Sequence, residues 1–180
     1  TGFDYATQAV RQPGSSFKPY VLAAALEEGI SLRSQWDGND NKRFGSTEID
    51  NFGDESYGRV DLVEATQKSI NTAYYELCVK VGAAKVAELA RKAGIPDSVP
   101  LADKDGEPNC NIALGGYEVH VADQAVGYAT FGSQGDYVQP FVVKSVTDRD
   151  GDLVYEGKVI KQRAFERDVA ADATFAMTQV

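Results

Sequence analysis

Apolar and polar positions alternate along the chain in two ways, first with helical spacing and then with strand spacing. Tyr20 to Leu26 is an almost unbroken apolar run and predicts a helix from about Ser15 to Glu28, closed by Gly29. Pro19 fits only the first turn of such a helix, where its missing N–H has no partner to lose. Residues 1 to 14 form a polar lead-in of alternating character, predicted extended and ending at the Pro13-Gly14 break. Asp61-Leu62-Val63-Glu64 resembles a capping box and predicts a short helix to about Lys68. Asn71 can cap a helix over Thr72 to Val81, which Gly82 stops. Ala83 to Ala93 predicts an amphipathic helix stopped by Gly94 and Pro96. Further helices are predicted over Val121 to Phe131 and Asp168 to Val180.

Between these lie two polar connections. Ile30 to Arg59 is long and rich in Gly, Asn and Asp, a length that often accompanies function. Its Trp36, Phe44, Phe52 and Tyr57 either line a cleft or pin the loop to the body. Pro96 to Asn111 leads into a small-residue turn, Ile112-Ala113-Leu114-Gly115-Gly116. Then the period changes. Tyr137 to Thr147 and Leu153 to Lys158 read as two strands joined by Asp148-Arg149-Asp150-Gly151-Asp152. That acidic run lacks the glycine and distal glutamate of a calcium-binding loop in register, so it reads as a hairpin turn.

Composition narrows the function. A hydrophobic content of 43% over 180 residues gives one domain, or part of one, enough material for a core. The net charge of −9 argues against nucleic acid as a partner. No apolar run approaches membrane-spanning length, and no signal peptide is present. With one histidine and two separated cysteines, a metal site is not expected. A Ser/His/Asp triad is possible only through His120, which reads as a helix-start residue with a local hydrogen bond. Cys78 and Cys110 either pair in an oxidising compartment or stay as two buried thiols. The chain opens without methionine and stops inside an apparent helix, so both ends read as cuts in a longer protein.

The candidate chemistry lies in Arg11-Gln12-Pro13-Gly14-Ser15-Ser16-Phe17-Lys18-Pro19. A serine and a lysine three positions apart share one face of a helix. The serine stands near the positive helix end, which favours negative charge on its oxygen. A lysine amine kept neutral by burial or nearby positive charge can take the serine proton. Ser-x-x-Lys alone is a weak signal. Ser69-Ile70-Asn71, at a break between two helices, adds a second hydroxyl able to relay a proton. Its asparagine amide can bind a substrate carbonyl or hold the lysine, as well as cap.

Together these segments resemble the penicillin-binding proteins, in particular the transpeptidase domain of the bifunctional class A enzymes. Ala6-Thr7-Gln8-Ala9 with the Arg11 to Pro19 stretch is similar to their Ser-x-x-Lys segment. Tyr57-Gly58, Val60-Asp61-Leu62 and Ser69-Ile70-Asn71-Thr72-Ala73 are similar to the approach to their Ser-x-Asn motif and the motif itself. Ala113-Leu114-Gly115-Gly116, Gln124-Ala125 and Gly127-Tyr128-Ala129-Thr130-Phe131 resemble the segment that follows, and Val146-Thr147-Asp148 with Asp150-Gly151 a downstream hairpin.

The resemblance implies an α/β (α+β) penicillin-binding transpeptidase or β-lactamase-like fold. This chain would hold its helical part and a β-hairpin, without most of the central antiparallel sheet. Residues 1 to 180 would be a partial transpeptidase domain of a membrane-anchored, extracytoplasmic bacterial protein. Ser15 would attack the penultimate D-alanine carbonyl of a peptidoglycan stem peptide, with Lys18 taking its proton. Ser69 would pass a proton to the leaving D-alanine, and Asn71 would bind the substrate amide and position Lys18. The backbone N–H of Ser15 would donate to the oxyanion, and β-lactams would block Ser15. No cofactor is implied. The family's third motif, Lys-Thr/Ser-Gly on a central strand, is not found in these 180 residues. The remaining strands would come from another segment or chain, and the piece by itself is expected to be inactive. The rivals are a serine β-lactamase, whose Glu-x-x-Leu-Asn segment is not found, and a β-lactam sensor domain of the same fold.

Overall fold

Pro19 fixes where the first long helix begins, and it begins later than the sequence reading places it. The computed structural model describes residues 2–180. A short strand, β1 (Val10–Arg11), leads to a 3-10 turn over Gly14–Phe17, and only then does α1 run over Lys18–Glu27. Pro19 thus occupies the second residue of α1, within the first turn. Ser15 stands in the 3-10 turn. With three residues per turn, positions i and i+3 eclipse, so Ser15 and Lys18 still share a face.

Residues 30 to 59 are more regular than the sequence reading expects. β2 (Gln35–Asp37), β3 (Lys42–Phe44) and β4 (Thr47–Ile49) precede β5 (Arg59–Asp61). β3 and β4 form a hairpin, and β2 pairs antiparallel with β5, Trp36 opposite Val60. Each strand has three residues, too few for alternation to register as a pattern. Trp36 and Tyr57 pack against the core, and Phe44 sits 4.9 Å from Tyr75, ring centre to ring centre. These three pin the segment to the body, whereas Phe52 is exposed.

The helical part follows the pattern closely. α2 (Leu62–Gln67) is capped by Asp61, whose Oδ1 accepts from the Glu64 N–H at 2.9 Å. α3 (Asn71–Val81) and α4 (Ala83–Ala93) meet at Gly82, whose φ is +97°. Asn71 does not cap α3. It is the first helical residue, Ile70 occupies the cap position, and Asn51 supplies the capping oxygen from another segment, accepting from the Thr72 N–H at 3.1 Å. A further 3-10 turn, Cys110–Leu114, precedes β6 (Val119–His120), which pairs with β1. α5 follows at Val121–Gly132.

The strand region also departs from the sequence reading. Pro140 interrupts the first expected strand. What forms instead is β7 (Asp136–Val138), β8 (Ser145–Thr147), β9 (Leu153–Glu156) and β10 (Lys161–Arg163). β8 and β9 make the hairpin, while β7 pairs with β10. In the acidic turn, Asp148 Oδ1 accepts from the N–H groups of Asp150 and Asp152. The chain then runs into α6 (Arg167–Met177). All sheets among the described residues are two-stranded.

The core forms around α1. Every residue from Lys18 to Ala25 is buried, as a helix apolar on all sides must be. α3, α4 and α6 pack around it. Cys78 of α3 and Cys110, at the start of the Cys110–Leu114 turn, are disulfide-bonded, with Cα atoms 5.7 Å apart.

Candidate active site

The lysine that begins α1 is 3% exposed, yet its amine has polar company on every side. Nζ lies 3.0 Å from Ser15 Oγ, 3.0 Å from Ser69 Oγ, 2.6 Å from the Ser69 carbonyl oxygen and 2.8 Å from Asn71 Oδ1. All four residues singled out from the sequence therefore meet at one point. Ser15 is exposed above the buried amine, open to a reaction partner. Ser15, Lys18 and Ser69 line a hollow of about 310 Å³, together with Thr66, Tyr128 and Met177. A second hollow of about 380 Å³ shares Ser16 and Tyr128 but reaches neither Ser15 nor Lys18.

Donor counting shows what the amine can do. The Ser69 carbonyl only accepts hydrogen bonds. The Asn71 carboxamide is oriented by its own Nδ2, which donates to the Asp50 carbonyl at 2.9 Å, so Oδ1 must face the lysine. An ammonium satisfies these two acceptors with two protons and gives its third to a serine hydroxyl. A neutral amine spends both protons on the same two acceptors and turns its lone pair toward a hydroxyl. The neutral form is thus pre-aimed as a base.

Burial makes that form accessible, pushing the Lys18 pKa down from 10.5 to about 7. Among the described residues, no carboxylate lies within 4.0 Å of Nζ to oppose this. The Tyr74 ring, 5.5 Å away, offers the cation only weak compensation.

Each hydroxyl is held by a specific local device. Ser15 rides on a turn clamped from two sides. Gly14 and Gly115 both have positive φ, at +58° and +64°, and a Cβ on Gly115 would overlap the Gly14 backbone. From α5, Gln124 Nε2 and Tyr128 Oη donate to the Ser16 carbonyl at 2.9 and 2.8 Å. Ser69 ends α2 in a Schellman motif. Its N–H bonds the Thr66 carbonyl, and the Ile70 N–H bonds the Ala65 carbonyl. The position demands a left-handed residue, normally glycine, and Ser69 adopts φ +54° there. That conformation turns both its hydroxyl and its carbonyl toward Lys18.

A sequence model described as the penicillin binding protein transpeptidase domain matches residues 3–180. The chain belongs to this family. Penicillin-binding protein 1A of Mycobacterium tuberculosis is 38% identical over 191 residues, covering 99% of this chain and 23% of the relative. Penicillin-binding protein 1A of Mycolicibacterium smegmatis is 36% identical over 190 residues, with 99% and 24% covered. The structure of PonA1 from M. tuberculosis in complex with penicillin V aligns with a TM-score of 0.89 at 36% identity, covering 98% of this chain and 49% of that one. The fold is therefore part of an α/β penicillin-binding transpeptidase domain, and the chain spans about a quarter of the length of these curated relatives.

His120 stands apart from the site. Its Nδ1 bonds the Ala9 carbonyl at 3.1 Å across the β1–β6 pair, a long-range contact rather than the local one expected. The sequence reading missed Asn51, which organises α3. No pattern marks an asparagine in an irregular polar stretch as the cap of a helix twenty residues on. Gln124 and Tyr128 fall within segments that carry the family resemblance, but nothing in their spacing discloses the bonds to Ser16.

Proposed function

We propose that the domain to which this chain belongs is a peptidoglycan D,D-transpeptidase, which cross-links stem peptides through an acyl-enzyme on Ser15 and is acylated there by β-lactams. One observation carries the reading: Lys18 Nζ is buried 3.0 Å from both the Ser15 and Ser69 hydroxyls, with no carboxylate of the described residues within 4.0 Å. Ser15 Oγ attacks the carbonyl of the penultimate D-alanine, and its proton passes to the neutral Lys18 amine. The C–N bond breaks, and the departing D-alanine amine takes a proton from Ser69 Oγ, which Lys18 replenishes. An amine of a second stem peptide then attacks the ester, returning the proton along the same path and freeing Ser15. Asn71 binds the substrate amide while holding Lys18. Ser15 lies in the first turn of its 3-10 helix, where N–H groups lack intrahelical acceptors, so its N–H suits the oxyanion.

The second oxyanion donor belongs, in this reading, to a Lys-Thr-Gly strand outside these 180 residues, so the stretch alone is inactive. The remaining strands come from another segment or a separate chain. The protein works outside the cytoplasm, anchored in the plasma membrane. The Cys78–Cys110 bond supports an oxidising compartment, and no helix of the described residues is long and apolar enough to cross a membrane.

Labelled penicillin and intact-protein mass spectrometry test the reading on a complete domain. One adduct is expected, on the peptide containing Ser15 and persisting long after excess penicillin is removed. An unmodified Ser15 would overturn the proposal, and release of the adduct within seconds would favour a β-lactamase.

A further inference from the structure

The segment joining β4 to β5 is tied to the reactive lysine by one peptide unit. Asn51 is 4% exposed, and its whole carboxamide is in use. Oδ1 accepts from the Thr72 N–H at 3.1 Å and the Thr72 hydroxyl at 3.2 Å, capping α3. Nδ2 donates to the carbonyls of Gly38 and Glu55, each at 2.9 Å, fastening the surrounding loop. The backbone N–H of Asn51 donates to Asp40 Oδ1 at 2.5 Å. That N–H shares a planar peptide unit with the Asp50 carbonyl, which accepts from Asn71 Nδ2 at 2.9 Å. A single chain of hydrogen bonds therefore runs from Lys18 Nζ through the Asn71 carboxamide and the Asp50–Asn51 peptide to the Asp40 carboxylate. All its donors point one way, so each bond polarises the next.

We infer that Asn51 is a positioning residue for acylation: it caps α3 beside Asn71 and fixes the Asp50 carbonyl that orients the Asn71 carboxamide against Lys18. The inference rests on the transpeptidase reading of the Ser15 site. Asp40 is the outer anchor of the same chain. Without the Asn51 side chain the Asp50–Asn51 peptide keeps only its bond to Asp40 and loses the ties to Gly38, Glu55 and Thr72, so the Asp50 carbonyl holds the Asn71 carboxamide less firmly. One of the two fixed acceptors that aim the Lys18 lone pair is then held less firmly.

The test uses the full-length protein and three variants, Asn51→Ala, Asp40→Ala and Val86→Ala. Val86 is a fully buried residue of α4 outside the hydrogen-bonded chain and serves as a stability control. Acylation by labelled penicillin is expected to slow about tenfold or more in Asn51→Ala and several-fold in Asp40→Ala, while Val86→Ala stays within about twofold of wild type. Exchange of the Asn71 side-chain amide protons, read by NMR, is expected to speed up about tenfold in Asn51→Ala and not in Val86→Ala. Should Asn51→Ala fail to fold, Asp40→Ala decides by the same two readouts. Unchanged acylation, unchanged Asn71 exchange, or an equal slowing in Val86→Ala would each overturn the inference. A wild-type protein that takes up no penicillin would instead sink the transpeptidase reading, and the exchange measurement would still test the positioning role.

Discussion

Acylation of Ser15 should report the Lys18 amine directly through its pH dependence. A lysine with a pKa of 10.5 is neutral in only about 3 molecules in 10,000 at pH 7. With the pKa lowered to about 7 by burial, about half the molecules carry the neutral amine, a gain of about a thousandfold in competent enzyme. The same difference is about 5 kcal/mol of disfavour for the buried ammonium. The second-order rate constant for a fluorescent penicillin, followed by stopped flow, should therefore fall about tenfold per pH unit below 7 and level off above it. Lys18→Arg, which cannot deprotonate, should lose about 10²- to 10⁴-fold at every pH. The sign for stability follows from the same shift. Between about pH 7 and 10.5 the unfolded chain binds the lysine proton and the native chain does not. Native stability therefore gains from this residue as pH rises through that window, and bears the full handicap below pH 7. A rate constant indifferent to pH from 5 to 9, or one still climbing tenfold per unit at pH 9, would refute the assignment of Lys18 as the base.

Three further outcomes follow from the geometry. Ser69→Gly and Ser69→Ala both remove the relay hydroxyl and should slow acylation about 10²-fold or more, but glycine suits the left-handed position. Urea titration should therefore find Ser69→Gly more stable than Ser69→Ala by about 1 kcal/mol, and equal stabilities would contradict the helix-end account. Gly115→Ala combines a left-handed backbone with a Cβ that overlaps Gly14, so a loss of about 2 to 4 kcal/mol is expected in the same titration, with slower acylation as the Ser15 turn shifts. Replacing Cys78 and Cys110 together by alanine opens a loop of separation 32, worth about 3 to 4 kcal/mol in the chain-entropy model. A reductant should lower the thermal midpoint of the wild type but not of the double variant.

How much of this was legible in the sequence depends on the range of the interaction involved. The start of the helix after Asp61 and the ends of those before Gly82 and Gly94 are set by a cap and stops within a few residues, and they fall where the pattern places them. The Ser15–Lys18 spacing is local too, and survives replacement of the first helical turn by a 3-10 turn. What could not be read was everything that depends on a distant partner. β2 finds β5 more than twenty residues away, β7 skips the intervening hairpin to reach β10, and Asn51 caps α3 from a different segment. In each case the local residues permit several arrangements, and tertiary packing selects one.

The local exceptions also cluster. A lysine is buried with no counter-ion among the described residues, a serine occupies a position that favours glycine, and an asparagine beside a helix start leaves the capping to another residue. Each would be unfavourable alone: an isolated left-handed serine costs about 1 to 2 kcal/mol. Together they are mutually required. The left-handed turn at Ser69 gives Lys18 a hydroxyl and a carbonyl from one residue, and releasing Asn71 from capping frees its oxygen to supply the other fixed acceptor. Lys18 sits between them, buried deeply enough to shed its proton near neutrality. Relaxing any one toward its ordinary preference would remove the condition that makes the other two useful. A site built this way should therefore show strong non-additivity, with Lys18→Arg, Ser69→Gly and their combination slowing acylation to nearly the same extent. Losses that multiplied across the two substitutions would mean that Lys18 and Ser69 act independently.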